Sequence, residues 1–153
     1  MFDLDETFFC LPTLLPRLVR AVVVLSLLQV FNAFTPKDRG SQKVARDIAF
    51  GNEPRQQLDI YAPRDVSKPL PVVFFIYGGS WSDGDRHNYD FVGRAIAALG
   101  YVTVIADYRL LPEVEYPSFL DDGLTAMKWV TANISDYGGD PSNRPDGAFC
   151  RSL

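Results

Sequence analysis

An uninterrupted apolar run at residues 71–77 (PVVFFIY) constrains the fold of this chain more than any other feature. Its β-branched and aromatic residues favour a strand, and prolines and glycines bound it. It lacks the polar/apolar alternation of a strand with one solvated face, so we expect both of its faces to be covered. Such strands are typical of parallel sheets packed between helices.

Two short segments precede this run and alternate polar and apolar side chains. They lie at residues 44–50 and 58–61 and are separated by a Gly-Asn-Glu-Pro sequence. Alternation around turn residues predicts an antiparallel hairpin.

Two helical patterns and a second apolar run follow. Residues 90–99 have apolar side chains at helical spacing, with Asn88 or Asp90 available as a cap. Residues 102–106 predict a second buried strand, and residues 117–134 predict a second helix. The apolar stripe of that helix is expected at Leu120, Leu124, Met127 and Val130. This order of elements predicts an α/β domain with a mostly parallel sheet and right-handed crossovers.

The first apolar run ends directly in Tyr77-Gly78-Gly79-Ser80-Trp81. Ligand sites in open α/β sheets lie at the carboxyl ends of strands. Two successive glycines let the backbone turn so that N–H groups can point at a developing negative charge, as an oxyanion hole requires. A Gly-Gly pair taken alone is more often a plain tight turn, so the assignment depends on the surrounding motifs.

Further motifs follow in order: DYRL at residues 107–110, Tyr-Pro at 116–117 and YGGDP at 137–141. With the glycine turn, this set resembles the α/β-hydrolase superfamily, specifically bacterial carboxylesterases of the lipase and feruloyl/acetyl-xylan esterase type. The resemblance covers residues 44–143. It implies the N-terminal portion of an α/β-hydrolase fold, an antiparallel hairpin followed by a parallel β-α-β-α unit, with an incomplete sheet.

The resemblance also implies a role for each residue of the turn. The N–H groups around Gly78, Gly79 and Ser80 would stabilise the tetrahedral oxyanion of a small-molecule ester, and Trp81 would line the acyl or alcohol pocket. The family most often has His where this chain has Tyr77. Because the oxyanion donors are backbone groups, that departure bears on the architecture of the loop rather than on the assignment.

An esterase of this family needs a serine on a G-x-S-x-G elbow, with an acid and a histidine further along the chain. The sequence contains no such elbow. Where the resemblance places the elbow strand, after residues 138–143, the chain has a proline and an Asp-Gly pair, which do not make a buried strand. We therefore expect a chain truncated before its nucleophile and inactive alone.

A frameshift would explain this loss of pattern. Allowed codons for residues 145–153 can be chosen so that the string, displaced by one nucleotide, reads Leu-Met-Gly-His-Ser-Ala-Gly-Ala, which contains the elbow. Because the codons were chosen to give this reading, the result shows that the sequence is compatible with a frameshift and does not prove one. Our hypothesis is a shift near residues 143–145, by mutation or sequencing error.

Three functional interpretations stay open. The first is a carboxylic ester hydrolase by descent. The second is a non-catalytic remnant or binding module. The third is an amide-hydrolysing relative of the same fold, such as an arylformamidase or peptidase, which would use the same triad.

Other polar residues have weaker claims to a catalytic role. His87 is the only histidine, but the catalytic histidine of the family lies beyond the nucleophile, so we interpret His87 as a loop residue. Asp107 and Arg109 end a strand, where paired charges more often brace loops. Asp121 and Asp122 lie in the first turn of a helix, where the macrodipole favours carboxylates, and we interpret both as structural.

Composition excludes several functional classes. The net charge of -4, with both signs dispersed, gives no basic patch, so nucleic acid is excluded as a partner. The two cysteines, Cys10 and Cys150, have no metal-site spacing, and no dinucleotide-binding loop is present. We therefore expect neither a metal nor a cofactor.

The N-terminal segment predicts a leader over residues 1–40, ahead of the hydrolase part at 41–153. The chain is almost wholly apolar from Leu18 to Phe34, behind the basic residues Arg17 and Arg20, as in a signal sequence. Export or anchoring in the inner membrane is favoured over a cytoplasmic location. A helix packed on the domain, or a start placed upstream of the natural one, are the alternatives.

Overall fold

The computed structural model describes Val30, Asn32 and residues 39–143. The chain divides into two compact units, Met1–Thr35 and Pro36–Leu153, and the sheet and helices lie in the second. No helix among the described residues is long and apolar enough to span a membrane. The predicted leader and the predicted frameshifted tail lie outside the described residues, except for Val30 and Asn32.

Among the described residues, four strands form one mixed sheet: β1 (Ser41–Ala49), β2 (Gln57–Pro63), β3 (Val72–Phe75) and β4 (Val102–Ala106). Their order in the sheet is β1-β2-β4-β3. β1 pairs antiparallel with β2, and β2 antiparallel with β4, whereas β3 runs parallel to β4. The predicted hairpin and the parallel β-α-β unit are both confirmed.

The first strand of the hairpin is irregular. Its register shifts twice against β2, and Asp47 adopts a left-handed backbone with φ of 55°. The Asp47 N–H donates to the Asp59 carboxylate on β2 at 2.9 Å, and the Lys43 ammonium lies 2.8 Å from the same carboxylate. A buried acid on β2 therefore fixes the bulge in β1.

The expectation that residues 71–77 are covered on both faces is wrong in part. Val72 and Tyr77 are buried, but the side chains between them are partly exposed. The reason is that β3 is the last strand of the described sheet. On its outer side, Leu70 pairs with Gly139, and the Val72 N–H donates to the Asn143 carbonyl at 3.2 Å.

The first helix, α1 (Asp90–Ala98), lies where its periodicity predicts. The expected cap is wrong, because a 3₁₀ turn at Arg86–Tyr89 leads directly into α1, so that the N-cap position is Tyr89, whose side chain makes no capping hydrogen bond. The Asp85 carboxylate caps that turn by accepting from the His87 N–H at 2.8 Å.

The second helix, α2 (Ser118–Asn133), also matches its prediction, but its apolar stripe is displaced. The buried residues are Phe119, Asp122, Ala126 and Val130. Of the expected stripe only Val130 is buried, while Leu120 and Leu124 are 38% and 56% exposed. An acid, rather than a leucine, occupies the sheet-facing position in the first turns.

Two apolar clusters hold the helices to the sheet. Val102 and Val104 pack with Ala126 and Val130 of α2, whereas Ile105 packs with Ala97 of α1. Alternate residues of a strand point to opposite faces, so α1 and α2 cover opposite faces of β4. This arrangement leaves the carboxyl ends of β3 and β4 side by side at one rim of the sheet.

Candidate active site

The glycine turn lies at that rim, directly after β3. Gly79 has φ of 153°, and the next two residues, Ser80 and Trp81, are both left-handed with φ of 53° and 61°. A Cβ on Gly79 would lie 2.0 Å from the Asp83 carbonyl oxygen, so no larger residue fits. Consecutive non-glycine residues in this region are uncommon and cluster at functional sites.

The turn is closed by its own backbone. The N–H groups of Ser82 and Asp83 both donate to the Gly79 carbonyl at 3.1 Å. By contrast, among the described residues nothing accepts a hydrogen bond from the N–H groups of Gly78, Gly79 or Ser80. The three groups expected to form an oxyanion hole therefore occupy one turn and have no described protein acceptor.

Trp81 follows the turn and lies beside an apolar hollow. Its ring stacks on Phe119 with centroids 4.4 Å apart and meets Tyr108 edge-on at 5.4 Å. The Trp81 carbonyl accepts from the Leu111 N–H at 2.8 Å. The hollow, about 210 Å³, lies between these rings and α2, and its lining is almost entirely apolar.

An arginine from the hairpin turn crosses the rim beneath the glycine turn. Arg55 Nε donates to the Tyr108 carbonyl at 2.9 Å. Its Nη2 donates to the Gly84 carbonyl at 2.7 Å and to the Tyr77 hydroxyl at 3.0 Å. One side chain thus joins the loop after β3 to the segment after β4.

Tyr77 is buried at the centre of these contacts. Its ring is stacked between Tyr89 and Tyr108, at centroid distances of 5.2 and 5.1 Å. Its hydroxyl donates a short hydrogen bond to Asp107, and its carbonyl accepts from the Tyr108 hydroxyl at 3.0 Å. Burial and the negative charge of Asp107 hold the pKa of Tyr77 far above its usual value, so the phenol is a permanent donor.

Asp107 is itself held by a buried arginine. Arg86 donates to Asp107 through both its backbone N–H, at 2.9 Å, and its guanidinium. The same guanidinium contacts Asp59, at 3.3 Å, and Asp47. Burial would raise the pKa of Asp59, but bonds from Lys43 and the Asp47 N–H outweigh it and keep the pKa below its usual value.

The expectation that Asp107 and Arg109 brace loops is confirmed, although they do not pair with each other. Arg109 instead forms a two-pronged bond with Asp122, Nε to Oδ2 at 2.9 Å and Nη2 to Oδ1 at 2.8 Å. Gln56 donates to the same carboxylate at 2.7 Å. The structural role of Asp122 is thus confirmed, but its cause is ion pairing rather than the helix dipole.

His87 lies in a half-exposed position away from the turn. Its Nδ1 contacts Asp85 Oδ1 at 2.5 Å, and its Nε2 is 3.5 Å from Asp47. Two acids therefore contact this histidine, one from the loop that precedes it and one from the bulge of β1. Its exposed position agrees with the interpretation of His87 as a loop residue.

The arrangement of sheet, glycine turn and following motifs has a counterpart among known proteins. Residues 58–144 match the BD-FAE family. The chain belongs to the BD-FAE family. The matched region contains β3, the glycine turn, β4 and α2, which are the elements that build the rim described above. The resemblance to α/β-hydrolase esterases of bacterial type is therefore confirmed.

Individual relatives of this BD-FAE chain are esterases. It is 36% identical over 102 residues to a probable isoprenylcysteine alpha-carbonyl methylesterase (ICME) of Oryza sativa subsp. japonica. The aligned region covers 67% of this chain and 25% of that relative. It is 44% identical over 84 residues to carboxylesterase NlhH of Mycobacterium tuberculosis, covering 54% and 26%. The chain spans about a quarter of the length of these relatives.

A solved structure shows the same fold. Esterase B from Lactobacillus rhamnosis superposes with a TM-score of 0.75 at 23% identity, covering 83% of the BD-FAE chain and 41% of that chain. The described four-stranded sheet is thus part of an α/β-hydrolase sheet, and the expectation of an incomplete fold is confirmed.

The structure brings the predicted site residues Gly78, Gly79, Ser80 and Trp81 together at one rim, and their chemical roles remain predictions. Sequence reasoning missed Arg55. No local motif marks it, since it lies in the hairpin turn, 53 residues before the carbonyl that it binds. The only signal in the sequence was an arginine in an otherwise ordinary turn.

Proposed function

We propose that this chain supplies the oxyanion hole and one wall of the substrate pocket of a serine carboxylic ester hydrolase. The observation that carries the proposal is the turn after β3, in which the N–H groups of Gly78, Gly79 and Ser80 have no acceptor among the described residues. The turn lies at the carboxyl end of a parallel strand, where ligands bind in such sheets. The esterase relatives support the same reaction class.

In this mechanism the carbonyl oxygen of the ester lies in the glycine turn. Attack by a serine converts it to an oxyanion, and the backbone N–H groups stabilise the new charge more strongly than they bind the neutral carbonyl. Because the turn is fixed beforehand, the donors do not reorganise during the reaction. Each donor of this kind typically contributes about a hundredfold to a thousandfold in rate.

Trp81 and the apolar hollow would form one wall beside the reacting carbon. An apolar wall excludes water and strengthens the electrostatic interaction between oxyanion and N–H groups. The sequence has no G-x-S-x-G elbow, and its single histidine is His87. We therefore propose that this chain alone does not turn over esters, and that the nucleophile and base belong to coding sequence in another frame.

The test begins with the coding DNA from codon 140 onward. We expect a Gly-His-Ser-Ala-Gly elbow, one nucleotide out of frame, followed by further hydrolase sequence. The restored reading frame should hydrolyse p-nitrophenyl acetate and butyrate, and replacement of its elbow serine by alanine should abolish turnover. The chain as given is the matched control and should show none.

Three results would contradict parts of this proposal. Absence of the elbow from all three frames would exclude the frameshift. A restored enzyme that cleaved p-nitroanilides in preference to esters would favour the amide-hydrolysing relative. Ester turnover by the unrestored chain that disappears in Ser80→Ala would place the nucleophile in the turn itself.

The segment from Leu18 to Phe34 remains a proposed export signal or membrane anchor, and with it the proposed membrane association. To test export, residues 1–40 are fused to a reporter that is active only outside the cytoplasm. Reporter activity that is lost when two of the central leucines are replaced by lysine would support export. An inactive reporter with the unaltered segment would contradict it.

A further inference from the structure

The glycine turn is closed by hydrogen bonds of its own backbone, but these do not tie it to the sheet. Gly79, Ser80, Trp81 and Gly84 all have positive φ values between 53° and 153°. Left-handed non-glycine residues typically persist only where surrounding structure fixes them. The turn's own hydrogen bonds reach no further than from Gly79 to Asp83. Contacts from outside the turn must therefore set its position relative to the sheet.

Arg55 makes those contacts on one side. Its guanidinium bonds the carbonyl of Gly84, in the loop that follows the turn, and the carbonyl of Tyr108, which follows β4. The planar guanidinium carries several donors in fixed directions, so it can hold two carbonyls at a set spacing. Arg55 is 28% exposed in its side chain and lies 3.9 Å from Asp107, which keeps its charge partly compensated.

The Tyr77 ring holds the turn on the other side. Its edge lies so close to Gly84 that a Cβ there would be 2.4 Å from Tyr77 Cε2. The end of the loop after the glycine turn therefore lies directly against this ring. The phenol is bonded to both Arg55 and Asp107, and Asp107 is bonded in turn to the buried Arg86. The ring is thereby fixed to the sheet.

We infer that Arg55 and the Tyr77 phenol are positioning residues, which hold the N–H groups of the Gly78–Ser80 turn in place. The inference rests on the proposed function only in naming the turn an oxyanion hole. It also explains why a tyrosine can stand at position 77, since the phenol both donates to Asp107 and accepts from Arg55. Neither residue touches the reacting atoms.

The test is hydrogen exchange measured by mass spectrometry on the full chain at micromolar concentration. The turn is followed in peptides covering residues 76–84 through the N–H groups of Ser82 and Asp83, which donate to the Gly79 carbonyl, since the N–H groups without an acceptor exchange rapidly in every variant. The sheet is followed in peptides covering residues 101–107. In Tyr77→Phe, which removes two hydrogen bonds, and Arg55→Ala, which removes three, we expect exchange of the turn to accelerate by about tenfold or more, while the sheet exchanges as in the unaltered chain. Arg55→Lys should give an intermediate rate, because its ammonium can reach one acceptor at a time.

Two matched controls accompany these variants. Tyr61→Phe removes a phenol oxygen from another buried ring, which lies against Gly93 of α1. Arg64→Lys alters an exposed arginine whose Nε bonds the Arg39 carbonyl at 2.8 Å. Neither residue contacts the turn in the described structure, and both variants should leave turn exchange unchanged.

Two outcomes would overturn the inference. One is unchanged exchange at residues 76–84 in both Tyr77→Phe and Arg55→Ala. The other is acceleration that is equal at residues 76–84 and 101–107, which would mean that the two residues only stabilise the domain as a whole. The ester assay on the restored frame decides the proposed function separately, so failure of one does not imply failure of the other.

Discussion

The indole of Trp81 lies almost parallel to the ring of Phe119, with centroids 4.4 Å apart and planes inclined by 17°. Trp81 is 38% exposed and left-handed, whereas Phe119 is 7% exposed and lies in the first turn of α2. A helix on one face of the sheet thus supports the residue that ends the glycine turn. Aromatic stacking of this kind contributes about 0.5–1.5 kcal/mol beyond the area that it buries.

Replacing Phe119 by alanine should therefore loosen Trp81 and lower stability. We expect a loss of about 3 kcal/mol in the free energy of unfolding, as for other buried phenylalanines. In a Trp129→Phe background, where Trp81 is the only indole, its emission should shift to longer wavelength. If the emission maximum and the urea midpoint equal those of Trp129→Phe alone, the stacking of Trp81 on Phe119 does not support either residue.

Asp122 and Asp121 are neighbours on α2 with opposite environments, and they make a matched pair. Asp122 is 1% exposed and receives the two-pronged bond from Arg109, whereas Asp121 is exposed. Asp122→Asn breaks a part-buried ion pair whose acid is fully buried, and should cost about 3 kcal/mol, while Asp121→Asn should change stability by under about 0.5 kcal/mol. Equal losses in urea titrations would show that the ion pair contributes nothing specific.

Stability should also fall in acid. Burial would raise the pKa of Asp122, but bonds from Arg109 outweigh it and hold the pKa below its usual value. An acid whose pKa is lowered by folding stabilises the folded protein fully at pH values above its pKa in the unfolded state, about 3.9. This stabilisation is lost as the pH falls through the pKa of the folded state. Urea midpoints should decline below about pH 4, and less steeply in Asp122→Asn. Parallel curves would exclude Asp122 from the acid response.

The fold could be predicted from local pattern because each element carries its own signal. The apolar residues of β4 fall between two turn regions, and the observed strand, Val102–Ala106, has the predicted bounds. The stripe of α2 was placed wrongly because periodicity counts leucines as buried. Leu124 faces outward, while Asp122 turns inward to Arg109, a partner that hydropathy patterns do not register.

The site was predictable only where function depends on consecutive residues. Gly78 and Gly79 are adjacent in the sequence, so a motif could reveal them. Arg55 and Tyr77 are 22 residues apart, and their contact exists only after β2 and β3 join the same sheet. The part of a site that is assembled by long-range contacts therefore requires the structure.

Gly79 and Gly100 allow the steric demand of the turn to be separated from backbone strain. Both have positive φ, 153° and 96°, so alanine is strained at either position. Only at Gly79 would the new Cβ also collide, 2.0 Å from the Asp83 carbonyl oxygen, whereas at Gly100 nothing lies within 4 Å. Gly100→Ala should cost about 1 kcal/mol from strain alone. Gly79→Ala should cost more and should displace the turn, which is visible as altered near-ultraviolet circular dichroism of the Trp81 indole in the Trp129→Phe background. Equal losses in the two variants, with an unaltered indole signal, would show that the turn tolerates a side chain at its second glycine.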